Sequence, residues 1–212
     1  MTIEDIIRQR GIKEILHFTT NCGVTGMLVE GVVKPRKRLL KDKHLEHIII
    51  FNCPDRSRDV EWHDYNHLSI TSVNRYLFGI SEGKWHAGMD GWWCILSFLP
   101  EILTHLGVIF TTTNNIYTSV IRDEGPDGLE RLFRDVIVRW SGSVVTRSPS
   151  TPDNQPTDPQ AEVLYPGELS LDYLECIYIE DSNHASHIES LFGIFPKPPA
   201  LRSCEVRPDL FE

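Results

Sequence analysis

The sequence predicts an α+β domain, and three observations predict it. Apolar, β-branched runs lie through the whole chain, from "ILHFTT" near the start to "LECIYI" near the end, separated by short helical stretches. There is no regular β-α-β alternation and no internal repeat, which argues against a parallel doubly wound sheet or a solenoid. Length and composition, 212 residues with 41% hydrophobic and 24% charged content, suit one globular domain over residues 1–212.

Taken in order, "TIEDIIRQRGIKEILHF" opens with a capping threonine and spaces Ile6, Ile7 and Ile15 as a short helix broken near Gly11 would, before "ILHFTT" turns into a strand. "TGMLVEGVV" reads as a small helix stopped by Gly31, then an extended piece. "HIIIFN" has buried-strand character, and "NHLSITS" alternates apolar and polar residues as a half-exposed strand does. "WWCILSFL" reads as a strand, "PEILTHLG" as a helix started by proline and ended by glycine, and "VIFTTT" as a further strand. "DGLERLFRDVIVRW" places Leu129, Leu132, Phe133, Val136 and Ile137 on one helical face. "SGSVVTRSPSTPDNQPTDP" is expected as a long loop, after which "AEVLYPGEL" and "LECIYI" supply the last two strands.

Composition narrows the function. No apolar run approaches a membrane span, and "MTIEDIIRQRG" lacks the basic-then-apolar order of a signal peptide, so a cytoplasmic protein is expected. The five cysteines (Cys22, Cys53, Cys94, Cys176, Cys204) form no C-x-x-C pair and are expected reduced. The histidine pairs His44/His47, His63/His67 and His184/His187 have no cysteine or third ligand nearby, so no metal is expected. The net charge of −9 excludes non-specific coating of nucleic acid, which depends on many cationic contacts to phosphates. Locally, "KPRKRLLKDKH" from Lys34 to His44 gathers six lysines or arginines with one aspartate, enough for a phosphate-binding strip around Lys37 and Arg38. The plainer reading is a solvated loop and helix start. Trp62, Trp85, Trp92 and Trp93 are core or rim residues, of which one or two could stack unpaired bases. Neither G-x-G-x-x-G nor G-x-x-x-x-G-K-[ST] is present, so a bound dinucleotide would need other residues to hold it.

Three pieces offer themselves. In "LHFTT", His17 and Thr19 stand two apart on a strand and share a face, where an imidazole could bond a ribose diol and a hydroxyl a carboxamide. Arg58 precedes Ser69 of the alternating strand by eleven residues and could bring a planar fork to a pyrophosphate, with Arg56 as its competitor. Glu162 starts a strand immediately after a breaker-rich loop, an unusual place for a carboxylate unless that strand floors a pocket.

Together these segments resemble the DarT family of ADP-ribosyltransferase toxins. "ILHFTT" looks like the family's H-[FY]-T strand, "SRDVEWHDYNHLSITSVNRYLF" like its arginine followed by S-[LI]-S-I-x-x-x-N, and "PQAEVLYPGELSLDYLECI" like its catalytic segment. The chain departs from the pattern at Val73, where a proline is expected before Asn74. The resemblance, which spans about Ile15 to Ile179, implies an ADP-ribosyltransferase fold with a central split β-sheet sandwich and short flanking helices. It implies NAD as substrate, held by His17, Phe18, Thr19, Arg58 and Ser69, with Glu162 and Arg58 as catalytic residues. It implies single-stranded DNA as acceptor, met by Lys37, Arg38 and Arg75, and an antitoxin partner that removes the modification. Transfer to protein or RNA, or a silent NAD-binding domain of the same fold, are the alternatives.

Overall fold

The computed structural model describes residues 1–41 and 51–212. The expected strand "HIIIFN" and the pair His44/His47 lie almost wholly outside the described residues, as does the end of the basic strip.

The chain begins with α1 (Ile3–Arg10), whose N-cap Thr2 and Asp5 form a reciprocal capping box and whose last turn ends at Gly11 with φ 65°. β1 (Ile15–Thr20) runs directly into α2 (Asn21–Glu30), capped by the Thr20 hydroxyl and closed by Gly31 in the left-handed region. A short β2 (Val32–Val33) and α3 (Arg36–Leu39) follow. β3 (Tyr65–Ile70) alternates half-buried and buried residues as its sequence predicts, and α4 (Arg75–Ile80) is capped by Asn74, whose Oδ1 accepts from the Leu77 N–H at 3.1 Å. β4 (Trp93–Phe98) is buried along its length, β5 (Ile109–Thr111) and β6 (Arg122–Glu124) form a hairpin, and α5 (Gly125–Arg131) follows. β7 (Val136–Trp140) and β8 (Ser143–Thr146) form a separate ribbon. β9 (Glu162–Pro166), β10 (Leu169–Ser170), β11 (Leu174–Ile179), α6 (Ala185–Phe192) and β12 (Ser203–Val206) complete the described elements.

Among the described residues, eight strands make one mixed sheet in the order β12-β11-β4-β1-β3-β9-β5-β6, in which only β11 and β12 run parallel. Period-two alternation sends its side chains to two cores: Ile15, Leu96, Phe98 and Ile177 to one face, and Leu16, Phe18, Trp93 and Ile95 to the other. The join between β1 and β3 is short, with only Ile15 opposite Ile70 and Leu16 opposite Ser69. Beyond it β1 stays with β4 through Thr20, and β3 stays with β9 from Leu68 back to Tyr65. The sheet therefore parts in its middle, giving the expected split.

Four expectations need correction. The helix expected through "DGLERLFRDVIVRW" ends at Arg131, and Val136–Trp140 is a strand. Leu129, Leu132 and Phe133 are buried as helical spacing requires, but the β-branched Val136-Ile137-Val138 run is stiff at χ1 and pairs with residues 143–146 across a turn that Gly142 closes at φ 77°. The supposed loop after Trp140 accordingly begins as a strand. "PEILTHLG" forms only a tight 3-10 turn over Pro100–Thr104, and β12 is an additional parallel edge strand beyond the two expected last.

Candidate active site

A cavity of about 570 Å³, of the size that encloses small-molecule ligands, occupies the parting of the sheet. β1 contributes His17, Phe18 and Thr19 to its wall, β3 contributes Tyr65, Asn66 and His67, and β9 contributes Glu162. Thr19 sits under the first turn of α2, so close that a Cβ on Gly23 would fall 2.1 Å from its Oγ1; only glycine permits that approach.

Glu162 opens β9, a strand paired on both sides, with β3 and with β5. Its backbone N–H donates to the buried Thr111 hydroxyl at 3.2 Å, and that hydroxyl donates to the Thr113 carbonyl at 2.8 Å. The chain leading into it is tied down as well. Asp158, fully buried, accepts two hydrogen bonds from the Arg139 guanidinium at 2.8 and 2.9 Å and one from the Gln160 N–H at 2.9 Å, and the Gln160 side chain accepts from the Tyr117 hydroxyl at 2.9 Å. The pairing with Asp158 holds the Arg139 guanidinium above its usual value. A carboxylate at the lip of an interior strand is thus fixed in place while only 6% exposed, and a charge so buried requires a partner.

The partner is His67. Its Nδ1 lies 2.6 Å from Glu162 Oε2, and its Nε2 lies 2.6 Å from an Arg56 guanidinium nitrogen. A guanidinium can only donate, so Nε2 accepts and the proton resides on Nδ1, which donates to Glu162. Arg56 in turn pairs with the buried Asp59, from Nε at 2.9 Å and also from Nη2. Asp59, Arg56, His67 and Glu162 form one line of alternating acceptors and donors across the cavity wall.

His17 stands on the other side of the parting. Its Nδ1 donates to the His67 carbonyl at 3.2 Å, and burial pushes the imidazole down to about 4, so it is neutral near pH 7. That leaves the Nε2 lone pair as an acceptor for a hydroxyl and adds no positive charge to the site.

The structure brings together His17, Phe18, Thr19, Arg58 and Glu162 at the cavity, but not Ser69 or Arg75. Ser69 lies on β3 where the join to β1 is closed, opposite Leu16. Arg75 is exposed at the start of α4 and donates to the Asp209 carbonyl at 2.6 Å. Arg56 and Arg58 both line the cavity and separate in character: Arg56 is engaged with Asp59 and His67, whereas Arg58 is exposed and has no hydrogen bond or ion pair among the described residues. Three cations of the basic strip have acidic partners. Arg38 donates to Asp64 at 2.8 Å and lies 3.4 Å from Glu168, Lys37 lies 3.6 Å from Asp64, and Lys34 pairs with Glu30. Asn74 serves as a helix cap, and no group of three metal-ligating side chains occurs among the described residues.

Sequence reasoning missed His67, Asp59 and Asn115 as cavity residues. For His67 a signal existed, since it shares the alternating face of β3 with the half-buried Tyr65, but its partner is 95 residues away.

A split sheet enclosing a cavity, with a buried glutamate at the start of an interior strand facing a neutral histidine across the parting, suits the class of an ADP-ribosyltransferase. The family model for DarT, described as ssDNA thymidine ADP-ribosyltransferase, matches residues 16–211, and the chain belongs to the DarT family. It is an NAD-dependent ADP-ribosyltransferase of single-stranded DNA. Among solved structures it is similar to Thermus sp. 2.9 DarT in complex with NAD+, with a TM-score of 0.66 at 14% identity over 94% of this chain and 98% of that one. It is also similar to Thermus sp. 2.9 DarT in complex with ADP-ribosylated ssDNA, at 0.62 and 14% over 95% and 97%, and to Thermosipho africanus DarTG in complex with ADP-ribose, at 0.63 and 13% over 94% and 51%. No curated protein sequence matches the chain.

Proposed function

We propose that Glu162 is the catalytic carboxylate, that His17, Thr19 and Arg58 hold NAD, and that the acceptor is a thymidine ring nitrogen in single-stranded DNA. The observation that carries this reading is Glu162 itself: buried and fixed by neighbours on both sides, it faces a cavity that also holds the His17 acceptor. The bond between nicotinamide and the ribose C1″ breaks with its electron pair leaving on nicotinamide, and positive charge builds on the ribose. Glu162 against the 2″-hydroxyl stabilises that charge more in the transition state than in the ground state. The thymine nitrogen then forms the new bond to C1″, and its proton passes to the carboxylate and out to solvent.

His17 accepts from the ribose diol and Thr19 meets the carboxamide. Arg58, uncommitted within the described fold, takes the pyrophosphate through its fork. The acceptor strand crosses an aromatic rim. Tyr65 packs on Trp62 at 5.3 Å, Arg122 lies 5.1 Å over Trp62, and Tyr117 packs on the exposed Trp140 at 4.9 Å. Such faces stack unpaired bases with little regard to sequence. Lys37, with 59% of its side chain exposed, supplies a phosphate contact, while Arg38 is committed to Asp64 and Glu168.

An unrestrained modifier of DNA would damage its own cell, and the similarity to Thermosipho africanus DarTG extends over only 51% of that chain. The reading therefore includes an antitoxin partner that reverses the modification, and action in the cytoplasm where DNA and NAD meet. No helix among the described residues is long and apolar enough to cross a membrane. Mass spectrometry of a thymidine-containing single strand incubated with NAD and the protein tests the proposal: one ADP-ribose per modified thymidine is expected, and adducts confined to RNA or protein would overturn it.

A further inference from the structure

We infer that His67 is the positioning residue of this site, holding one oxygen of Glu162 so that the other meets the ribose, and doing so in a tautomer that Arg56 dictates. The inference rests on the assignment of Glu162 as the catalytic carboxylate. Oε2 receives the His67 Nδ1–H at 2.6 Å, while Oε1 takes no hydrogen bond among the described residues. A glutamate side chain has three rotatable bonds, and its backbone anchorage through Thr111 does not fix where the carboxylate points. The single hydrogen bond from His67 does.

That hydrogen bond depends on the imidazole keeping its proton on Nδ1, and the wall behind it enforces this. Nε2 faces the Arg56 donor at 2.6 Å, and Arg56 is anchored by Asp59 and held at its own carbonyl by the His63 Nε2–H at 2.9 Å. The ring is further set by its backbone, since the His67 carbonyl accepts from His17 at 3.2 Å. In the other tautomer the Nε2 proton would point at the guanidinium. Asp59 Oδ2 could not readily relieve it, at 4.0 Å and already paired with Arg56. Around the ring, Arg56 donates to Nε2, Asp59 anchors Arg56, Glu162 accepts from Nδ1 and His17 bonds the backbone carbonyl, so each contact matches the Nδ1–H tautomer. His67 links the two halves of the site: it hydrogen-bonds the catalytic carboxylate on β9 and, through its carbonyl, the cofactor-facing histidine on β1.

Two near-isosteric variants separate the two ends of the ring. The side-chain amide nitrogen of asparagine falls near the Nδ1 position, so His67→Asn keeps a donor for Glu162 and loses the acceptor for Arg56. The glutamine amide reaches the Nε2 position, so His67→Gln keeps the acceptor and loses the donor. With a thymidine oligonucleotide and NAD, His67→Gln should lower kcat roughly 10- to 100-fold with KM for NAD changed less than about threefold, because a misdirected catalytic group costs rate while the dinucleotide contacts remain. His67→Asn should stay within about fivefold of wild-type kcat, as a retained donor predicts. Equal losses in both variants, wild-type kcat in His67→Gln, or an increase in KM for NAD matching the loss of kcat would overturn the inference. Melting temperatures and NAD calorimetry on the same proteins confirm that each variant is folded. Glu162→Gln run alongside separates the two levels: if it remains active the assignment of Glu162 fails, and if it is inactive while His67→Gln is not, only the role of His67 fails.

Discussion

Replacing Glu162 by glutamine keeps the length of the side chain and an oxygen that can accept from His67, and removes only the charge. Transfer should fall by roughly 10²- to 10³-fold while NAD affinity stays within about threefold, since the charge acts on a transition state and not on the bound dinucleotide. Single-turnover adduct counting with calorimetry checks this, and near-normal transfer would remove Glu162 from the mechanism. The two arginines make a second test. Arg58→Ala should weaken NAD binding with little change in melting temperature, and Arg58→Lys should not restore it, because a point charge lacks the bidentate fork. Arg56→Ala should instead destabilise the fold by about 3 kcal/mol, as it strands the buried Asp59, whose side chain is 7% exposed. If calorimetry shows the NAD loss in Arg56→Ala and none in Arg58→Ala, the pyrophosphate contact belongs to Arg56. His17 yields a prediction in pH. Its folded value of about 4 lies below the 6.5 of an unperturbed histidine, so between those values the unfolded chain binds a proton that the folded one does not. Stability should fall as pH drops through that window, by up to about 1.4 kcal/mol per pH unit. His17→Gln lacks the group, so the wild type should lose more stability than the variant between pH 7.5 and pH 5 in urea titrations; parallel losses would refute a buried neutral His17.

At the scale of elements, the segment from the β7–β8 ribbon to β9 carries a prediction of its own. Arg139 on the ribbon and the fully buried Asp158 form the clasp that sets the approach to Glu162. Arg139→Ala should cost about 3 kcal/mol of stability, since it leaves a buried carboxylate unpaired, and Asp158→Asn should cost less because it removes that charge. Denaturant unfolding of the two variants distinguishes them, and equal costs would mean that the clasp acts by shape alone. The same segment shows how far element reading goes. The run Leu129-Leu132-Phe133 announced a helix correctly, yet Val136 and Ile137 fit the helical spacing by accident of register. Their β-branching and the Ser141-Gly142 turn were the competing signal, one that became decisive once a partner strand lay across from them. β1, β3, β4 and β9 were legible because alternation or continuous apolarity over five or six residues leaves a strand few rivals.

For the whole molecule, charge decides how DNA arrives. Thirty acidic residues against twenty-one basic ones give −9, and the basic strip spends much of its charge on Asp64, Glu168 and Glu30. Few phosphates can then be contacted at once, so binding of a single strand should show a shallow salt slope, with about two or three counterions released. Duplex of the same sequence should be modified at least about tenfold more slowly, because flipping a paired base costs a few kcal/mol. Fluorescence anisotropy across salt and adduct counts on matched strands test both, and a steep slope or equal duplex labelling would contradict them.

What is local was legible along the chain: that β1, β3, β4 and β9 are strands, that His17 and Thr19 share a face, and that Glu162 begins a strand after a loop. Those properties follow from side-chain period, branching and turn residues, which act over a few positions of the chain. It took the packed fold to show that β1 and β3 part after two residue pairs to open a cavity, that His67 meets Glu162, that Arg56 is engaged while Arg58 is left uncommitted, and that Arg38 is neutralised by Asp64 and Glu168. Each of these joins residues far apart in sequence, and strand periodicity says which face a side chain takes but not which strand will lie beside it. That choice belongs to the packing of both faces of the sheet at once.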